Sequence, residues 1–226
     1  MISARLSDAE FFYKEDLKIT LDERITKLDK IIFHKNIGSL RRKSENNAVM
    51  AKYISVWIKN SHPVEIEVAA RFAKTDLTTE MVGEFPELQG VMGYYYAKKE
   101  GFDLSIAEAI RDHYLPVGIN SNIPTNPTAV AVALADKIDS LTSLMLVGEA
   151  PTSSKDPFAM RRMAIGIIRI ILENRLNIPL KLIIEKAIHN YPKLLKNIDN
   201  CYPNQYIKNP RKSVSYTHLR AHETPV

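Results

Sequence analysis

Histidines and aspartates spread along the chain are the residues best suited to chemistry. They include His34, Asp76, His113 and Asp136, which fall at or near predicted helices. Imidazole and carboxylate groups from several helices are how a helical bundle builds a metal site. Asp136 and Asp139 are three positions apart and therefore share one helix face. These residue types allow a metal site, but they also allow Asp136 to pair with a lysine or arginine, or to cap a neighbouring helix.

Helical signals dominate the segments that must position these residues. Apolar residues recur with helical spacing over 21–32 and 39–60, and Pro63 fits the first turn of another helix. Ser105, with Glu108 three positions on, predicts a capping box at a further helix start. Alternating apolar and polar runs long enough for a sheet are absent from the sequence. The pattern therefore predicts an all-α fold.

Two later helix starts carry the strongest local signals. Asn126-Pro127 and Asp156-Pro157 each place a polar side chain at the cap and a proline in the first turn. The helix after Asn126 is nearly all apolar around Asp136, so we expect it to be buried on most sides. The pattern ends near residue 197. Residues 1–196 are predicted to form one domain and residues 197–226 an irregular tail, non-native from about residue 211.

Composition limits the class of protein. Hydrophobic residues make up 45% of the 226-residue chain and charged residues 25%, which is ordinary for a soluble globular protein. A single cysteine, Cys201, leaves no disulfide or cysteine-based zinc site within the chain and fits a reducing cytoplasm. No apolar run reaches the roughly 18 residues of a membrane span. We expect a cytoplasmic protein with no membrane partner.

The order of the histidines and aspartates resembles the HD superfamily of helical, metal-dependent phosphohydrolases. His34 and Ala135-Asp136 match its pattern in type, but Thr75-Asp76 has a threonine where that family has an essential histidine. A threonine hydroxyl is a poor ligand for a divalent metal. We interpret the domain as an HD-domain-like helical bundle without a bound metal, whose remnant site positions are His34, Thr75, Asp76, His113 and Asp136. An active phosphohydrolase is the alternative.

Four longer stretches resemble the β subunit of bacterial α2β2 glycyl-tRNA synthetases, in the order and spacing of that family. They are Ala4 to Lys18, Lys74 to Ala97, His113 to Leu141 and Pro151 to Glu173. The resemblance implies a fragment from the HD-like middle of a longer subunit. Such a fragment lacks the N-terminal part of the subunit and its C-terminal anticodon-binding part.

In this family, glycine and ATP are activated on the α subunit, and the β subunit supplies most of the tRNA recognition. The resemblance therefore implies a tRNA-handling part with no catalytic residues and no cofactor of its own, although the whole synthetase uses ATP and Mg. The sequence contains no phosphate-binding loop, nucleophile elbow or HExxH motif. Expected partners are tRNA-Gly, the α subunit and the remainder of the β subunit. A purely structural spacer is a further alternative.

Clustered cations are the candidates for RNA contacts, because phosphate contacts supply much of nucleic-acid affinity. The net charge is +5. The candidates are Arg41, Arg42, Lys74, Lys155, Arg161 and Arg162. Free backbone N–H groups at the predicted helix start near Asp156 would add to phosphate binding. Ion pairs of Arg161 and Arg162 with Asp156 or Glu173, and a solvated face at Arg41 and Arg42, are the structural alternatives.

Overall fold

The computed structural model describes residues 2–118 and 120–195, which are mainly helical. The helices are α1 (Ile2–Asp16), α2 (Leu21–Lys27), α3 (Leu40–Ile54), α4 (Pro63–Phe72), α5 (Glu80–Glu84), α6 (Val91–Lys99), α7 (Leu104–Asp112), α8 (Pro127–Leu146), α9 (Met160–Glu173), α10 (Leu180–His189) and α11 (Pro192–Leu195). Short 3₁₀ helices occur at Leu28–Lys30, Ser55–Trp57, Thr75–Thr78 and Pro86–Leu88. Strands β1 (Ile32–His34) and β2 (Gly38–Ser39) form an antiparallel hairpin. The all-α prediction is confirmed.

Helix α8 forms the centre of the fold. It begins as predicted, with Pro127 in the first turn and the side chain of Asn126 accepting a hydrogen bond from the backbone N–H of Thr128. Residues 128–140 are all buried, because α3, α4, α7, α9 and α10 contact this helix. The polar residues in its middle are therefore buried too, and each needs a partner.

Asp16 connects α1 to the rest of the fold. Its carboxylate is buried and accepts hydrogen bonds from the guanidinium of Arg24 and the hydroxyl of Tyr96, both at 2.9 Å. It also accepts the backbone N–H groups of Glu80 and Met81 at 3.0 Å. These bonds fix the end of α1 against α2, α5 and α6.

The capping box predicted at Ser105 is wrong. Helix α7 begins at Leu104, and Asp103 is its N-cap. The hydroxyl of Ser105 donates to Glu65 at 2.5 Å, while the carboxylate of Glu108 accepts from the side-chain amide of Asn126 at 2.9 Å. Both side chains that suggested a local cap therefore make tertiary contacts.

Three other predicted helix boundaries are also wrong. Helix α9 begins at Met160, not Pro157, because Ala159 has a left-handed backbone with φ of 56°. The helix predicted over 21–32 ends at Lys27, and residues 32–34 form β1. His34 therefore lies on a strand. The helix predicted over 39–60 is α3, which ends at Ile54.

Within the described ranges, no helix is both long and apolar enough to cross a membrane. The predicted domain, residues 1–196, falls almost wholly within these ranges, whereas the predicted tail, residues 197–226, lies outside them. The HD-like character of the bundle remains a prediction.

Candidate functional site

Asp136 lies at the centre of a buried ionic cluster on α8. Its Oδ2 is 3.1 Å from Lys74 Nζ, and its Oδ1 accepts from the side-chain amide of Asn47 at 2.8 Å and lies 3.3 Å from Lys43 Nζ. Burial alone would raise the pKa of Asp136, but the ammonium groups of Lys74 and Lys43 hold it well below its usual value. Of the alternatives open from the sequence, pairing with lysine is the one observed.

Lys74 bridges Asp136 and His113. Its ammonium is 2.9 Å from Nε2 of His113 and 4.1 Å from the ring centroid of Tyr114. The other ring nitrogen, Nδ1, is 2.7 Å from the carbonyl oxygen of Ile110. A carbonyl only accepts, so Nδ1 carries the proton and Nε2 accepts from Lys74. Burial and the charge of Lys74 hold the pKa of His113 well below its usual value, which keeps the imidazole neutral.

A second carboxylate extends the cluster through Lys43. The ammonium of Lys43 is 3.1 Å from Asp139 and donates to Ser140 at 2.6 Å. The hydroxyl of Tyr191 lies 2.9 and 3.0 Å from the two carboxylate oxygens of Asp139. Burial opposes charge on Lys43, but Asp136 and Asp139 outweigh it and raise the pKa of its ammonium. The cluster therefore joins α3, α8 and the segment after α10.

Thr75 and Asp76 serve local structure. The hydroxyl of Thr75 donates to the carbonyl of Phe72 at 2.7 Å. The Oδ2 atom of Asp76 accepts the backbone N–H groups of Gly90 and Gly93, at 2.5 and 3.2 Å, at the start of α6. Its Oδ1 is buried without a hydrogen-bond partner. Burial raises the pKa of Asp76 to about 6, an effect that the two N–H groups only partly offset.

Stability should vary with pH through Asp76. Because its pKa rises from 3.8 to about 6 on folding, the stability it contributes is present below about pH 4 and is lost as pH rises through about 6. Two pKa units correspond to about 3 kcal/mol. Urea unfolding between pH 4 and pH 7.5 should show the stability of the wild type falling by this amount relative to Asp76→Asn. The exposed Asp29→Asn is the control, and parallel wild-type and Asp76→Asn profiles would show that Asp76 does not titrate in this range.

The remaining position of the HD resemblance, His34, lies apart from the cluster. Its Nε2 is 3.3 Å from the carboxylate of Glu149, and its ring packs edge-on against Phe158. Residues 2–118 and 120–195 hold no group of three or more His, Cys, Asp or Glu side chains able to bind a metal. The position between His113 and Asp136 is taken by the ammonium of Lys74. The residues present therefore do not fit the divalent metal that the HD resemblance implies.

The first three RNA-binding candidates are already engaged. Arg41 pairs with Asp29 at 2.8 Å and with Glu45 at 3.3 Å. Arg42 lies over the ring of Tyr191, 5.6 Å from its centroid. Lys74 is 5% exposed, so an RNA could reach it only by entering the fold.

The other three candidates are Lys155, Arg161 and Arg162, which are exposed near the start of α9. We call them the α9 cations. The guanidinium of Arg161 donates to the carbonyl of Thr152. The backbone N–H groups of Met160 and Arg161 donate to the carboxylate of Asp156, at 2.8 and 3.0 Å. The helix start therefore already holds an anion, and a phosphate would have to bind the side chains.

A cavity of about 640 Å³ adjoins the ionic cluster, within the usual size range of ligand sites. The charged and aromatic groups of its wall include Lys43, Lys74, Lys137, Arg162, Asp136 and Tyr114. Lys137 and Lys43 are not among the candidate site residues predicted from the sequence. A lysine inside an otherwise apolar helix marks Lys137, whereas nothing local distinguishes Lys43 from Arg41 and Arg42.

Known proteins are similar to this chain over most of its length. The profile of a family described as glycyl-tRNA synthetase beta subunit matches residues 1–222. Glycine–tRNA ligase beta subunits of Rickettsia typhi, Rickettsia felis and Rickettsia akari are 49%, 52% and 53% identical to it. The alignments cover 84%, 80% and 80% of this chain but 28%, 26% and 26% of those relatives. The chain thus spans about a quarter of the length of the curated relatives it matches.

Proposed function

Since the chain belongs to the glycyl-tRNA synthetase β-subunit family, we propose that it is a tRNA-handling part of the ligase that joins glycine to tRNA-Gly. The chemistry belongs to the α subunit, with ATP and Mg used by the whole synthetase. This part acts in the cytoplasm without a cofactor of its own. Its partners are tRNA-Gly, the α subunit and the remainder of the β subunit.

The buried ionic cluster supports a non-catalytic role. Its carboxylates and imidazole are bound to lysines, to Tyr191 or to the backbone, so none is placed to transfer a proton to a substrate. The phosphohydrolase alternative gains no support, because Lys74 stands where a metal would have to bind.

The RNA-binding role is supported mainly by Arg162, an exposed arginine without an ion pair in the described part of the chain. It is exposed on α9 and lines the cavity. Asp156 attracts it electrostatically, but no carboxylate in the described part of the chain forms an ion pair with it. An exposed, unpaired guanidinium beside Lys155 and Arg161 suits a phosphate backbone, which binds arginine in a bidentate manner.

An apolar stripe on α9 supports contact with the remainder of the β subunit. Ile165, Ile168 and Leu172 are 44%, 52% and 68% exposed and share one helix face. The chain spans about a quarter of its relatives, so the rest of the subunit is available to cover this stripe.

Salt-dependent binding of tRNA-Gly tests the proposal. If the α9 cations contact three phosphates, raising salt from 50 to 200 mM should weaken binding by about 20- to 40-fold. The Arg161→Ala/Arg162→Ala variant should bind more weakly and with a flatter salt dependence, since two contacts are lost. Fluorescence anisotropy with labelled tRNA-Gly measures both, and Lys52→Ala, a surface cation paired with Glu67, is the control. A folded sample that fails to bind even at 50 mM salt would favour the structural spacer.

A further inference from the structure

We propose that the cavity beside α9 binds a nucleotide through its phosphate, held by Lys137 and Arg162. The inference rests on the proposed function, because it names where and by what chemistry an RNA end would enter the fold. The ligand class is a nucleoside carrying a phosphate, whether at the end of an RNA strand or as a free mononucleotide.

Lys137 is a buried cation that lacks a counterion of its own. It is 6% exposed on α8, and its ammonium donates to the backbone carbonyls of His113 and Tyr114, both at 3.2 Å. No carboxylate forms an ion pair with it in residues 2–118 and 120–195. Asp136 attracts it, but that carboxylate is already bound to Lys43 and Lys74. Burying a charge without a counterion is costly, and an anion in the cavity would supply one.

The packing of α9 fixes the path of the Lys137 side chain. A Cβ atom at Gly166 would lie 3.2 Å from Lys137 Cε and 3.4 Å from its Cδ. Any larger residue at 166 would therefore push the lysine stem aside. Glycine at this position lets the stem pass between α8 and α9, and Lys137 is one of the residues that line the cavity.

Arg162 supplies the second cation from the opposite helix. It lies about one turn before Gly166 on α9 and is exposed at the cavity. A guanidinium and an ammonium that approach from two helices can share one phosphate group. Unlike Lys43 and Lys74, neither is tied to a carboxylate.

The remaining wall fits a base. The ring of Phe33 lines the cavity together with aliphatic side chains and Glu87, whereas the ring of Tyr114 in the same wall is already covered by the ammonium of Lys74. Aromatic side chains stack on unpaired bases in many single-strand sites. A volume of about 640 Å³ is far larger than a bare phosphate ion needs, so the site suits a whole nucleotide.

Binding of a short single-stranded RNA by the full 226-residue chain tests the proposal. Fluorescence anisotropy at 50 mM salt should show Lys137→Met and Arg162→Gln each weakening the complex by about tenfold or more, as expected for loss of one charged hydrogen bond. Lys52→Gln is the matched control, because it removes an exposed cation that pairs with Glu67 and does not line the cavity. The control should weaken the complex with RNA less than Arg162→Gln does. Gly166→Ala should also weaken binding, since it displaces the lysine stem without removing charge.

Competition with AMP separates the two ligand sources. If AMP displaces the RNA from the wild type but not from Arg162→Gln, the cavity accepts free nucleotides as well as RNA ends. If AMP does not compete while Lys137→Met and Arg162→Gln still weaken RNA binding, the RNA end is the ligand.

Normal binding of the short RNA by Lys137→Met and Gly166→Ala would overturn the cavity proposal, whereas intact tRNA-Gly binding by the wild type would leave the proposed function standing. Failure of the wild type to bind tRNA-Gly would instead refute the proposed function. Circular dichroism checks that Lys137→Met folds. If it does not, Gly166→Ala, which shifts the stem of Lys137 and leaves Arg162 in place, decides the question.

Discussion

Replacement of Asp136 by alanine should lower the free energy of unfolding by about 3–5 kcal/mol, the range for breaking a buried ion pair. The ammonium groups of Lys43 and Lys74 would stay buried, and each would lose a carboxylate within 3.3 Å. The side-chain amide of Asn47 would lose its acceptor as well. Since Lys43 retains Asp139, most of the loss should come from Lys74.

Urea unfolding followed by circular dichroism measures this loss. Glu67→Ala, which removes a carboxylate from the exposed pair with Lys52, should cost less than about 1 kcal/mol. Lys74→Met in the Asp136→Ala background should recover part of the loss, because it removes the unpaired charge. If Asp136→Ala were no more harmful than Glu67→Ala, Asp136 would not be the anion on which the cluster depends.

Asp16→Ala should also lower the free energy of unfolding by about 3–5 kcal/mol, because it too breaks a buried ion pair. The guanidinium of Arg24 is 2% exposed and would lose its carboxylate partner. The backbone N–H groups of Glu80 and Met81 would lose their acceptor at the start of α5, as would the hydroxyl of Tyr96.

The control for Asp16→Ala is a substitution on the same helix, α1. Glu10→Ala removes a fully exposed carboxylate that pairs with Lys14, and thermal unfolding should barely change. In a double-mutant cycle, Asp16→Ala with Arg24→Met should cost less than the sum of the two single changes, since each removes the other's partner. If the losses of stability from the two single changes simply added, Asp16 and Arg24 would not stabilise each other.

Local signals in the sequence predict structure well where the neighbouring chain decides it. The start of α8 is an example, because Asn126 caps the helix through Thr128, two positions away. Ser105 and Glu108 failed as a cap because their partners, Glu65 and Asn126, are distant in sequence. A capping pattern cannot show that a stronger partner arrives from another helix.

The candidate site was only partly predictable for the same reason. The apolar pattern of α8 marks Asp136 as a buried polar group that needs a partner, and the sequence left lysine pairing open. Lys43 and Lys74 reach it from 93 and 62 positions away, and no local spacing indicates such a contact. Lys43 also follows Arg41 and Arg42, which remain partly exposed, so the burial of the third cation depends on tertiary packing alone.

The HD resemblance implies remnant site positions at His34, Thr75, Asp76, His113 and Asp136, and Lys74 contacts two of them, His113 and Asp136. What it could not predict is that a side-chain ammonium stands between them. An ammonium carries one positive charge and donates hydrogen bonds, but it has no empty orbital with which to polarise a phosphoryl group. Lys74 can thus hold the carboxylate of Asp136 but cannot act as a Lewis acid toward a phosphoryl group.

The central position of α8 has a consequence for synthesis on the ribosome. Helices α3, α4 and α7 precede it in the chain, and residues such as Met50, Ile66 and Ile110 are buried in the same core. At about 5–20 residues per second, translation from residue 113 to 146 takes roughly 2–7 s. Hydrophobic collapse takes about 10–100 μs in chains of this size. Before α8 is synthesised, the nascent polypeptide therefore has far more time than hydrophobic collapse requires, while that apolar surface is still uncovered.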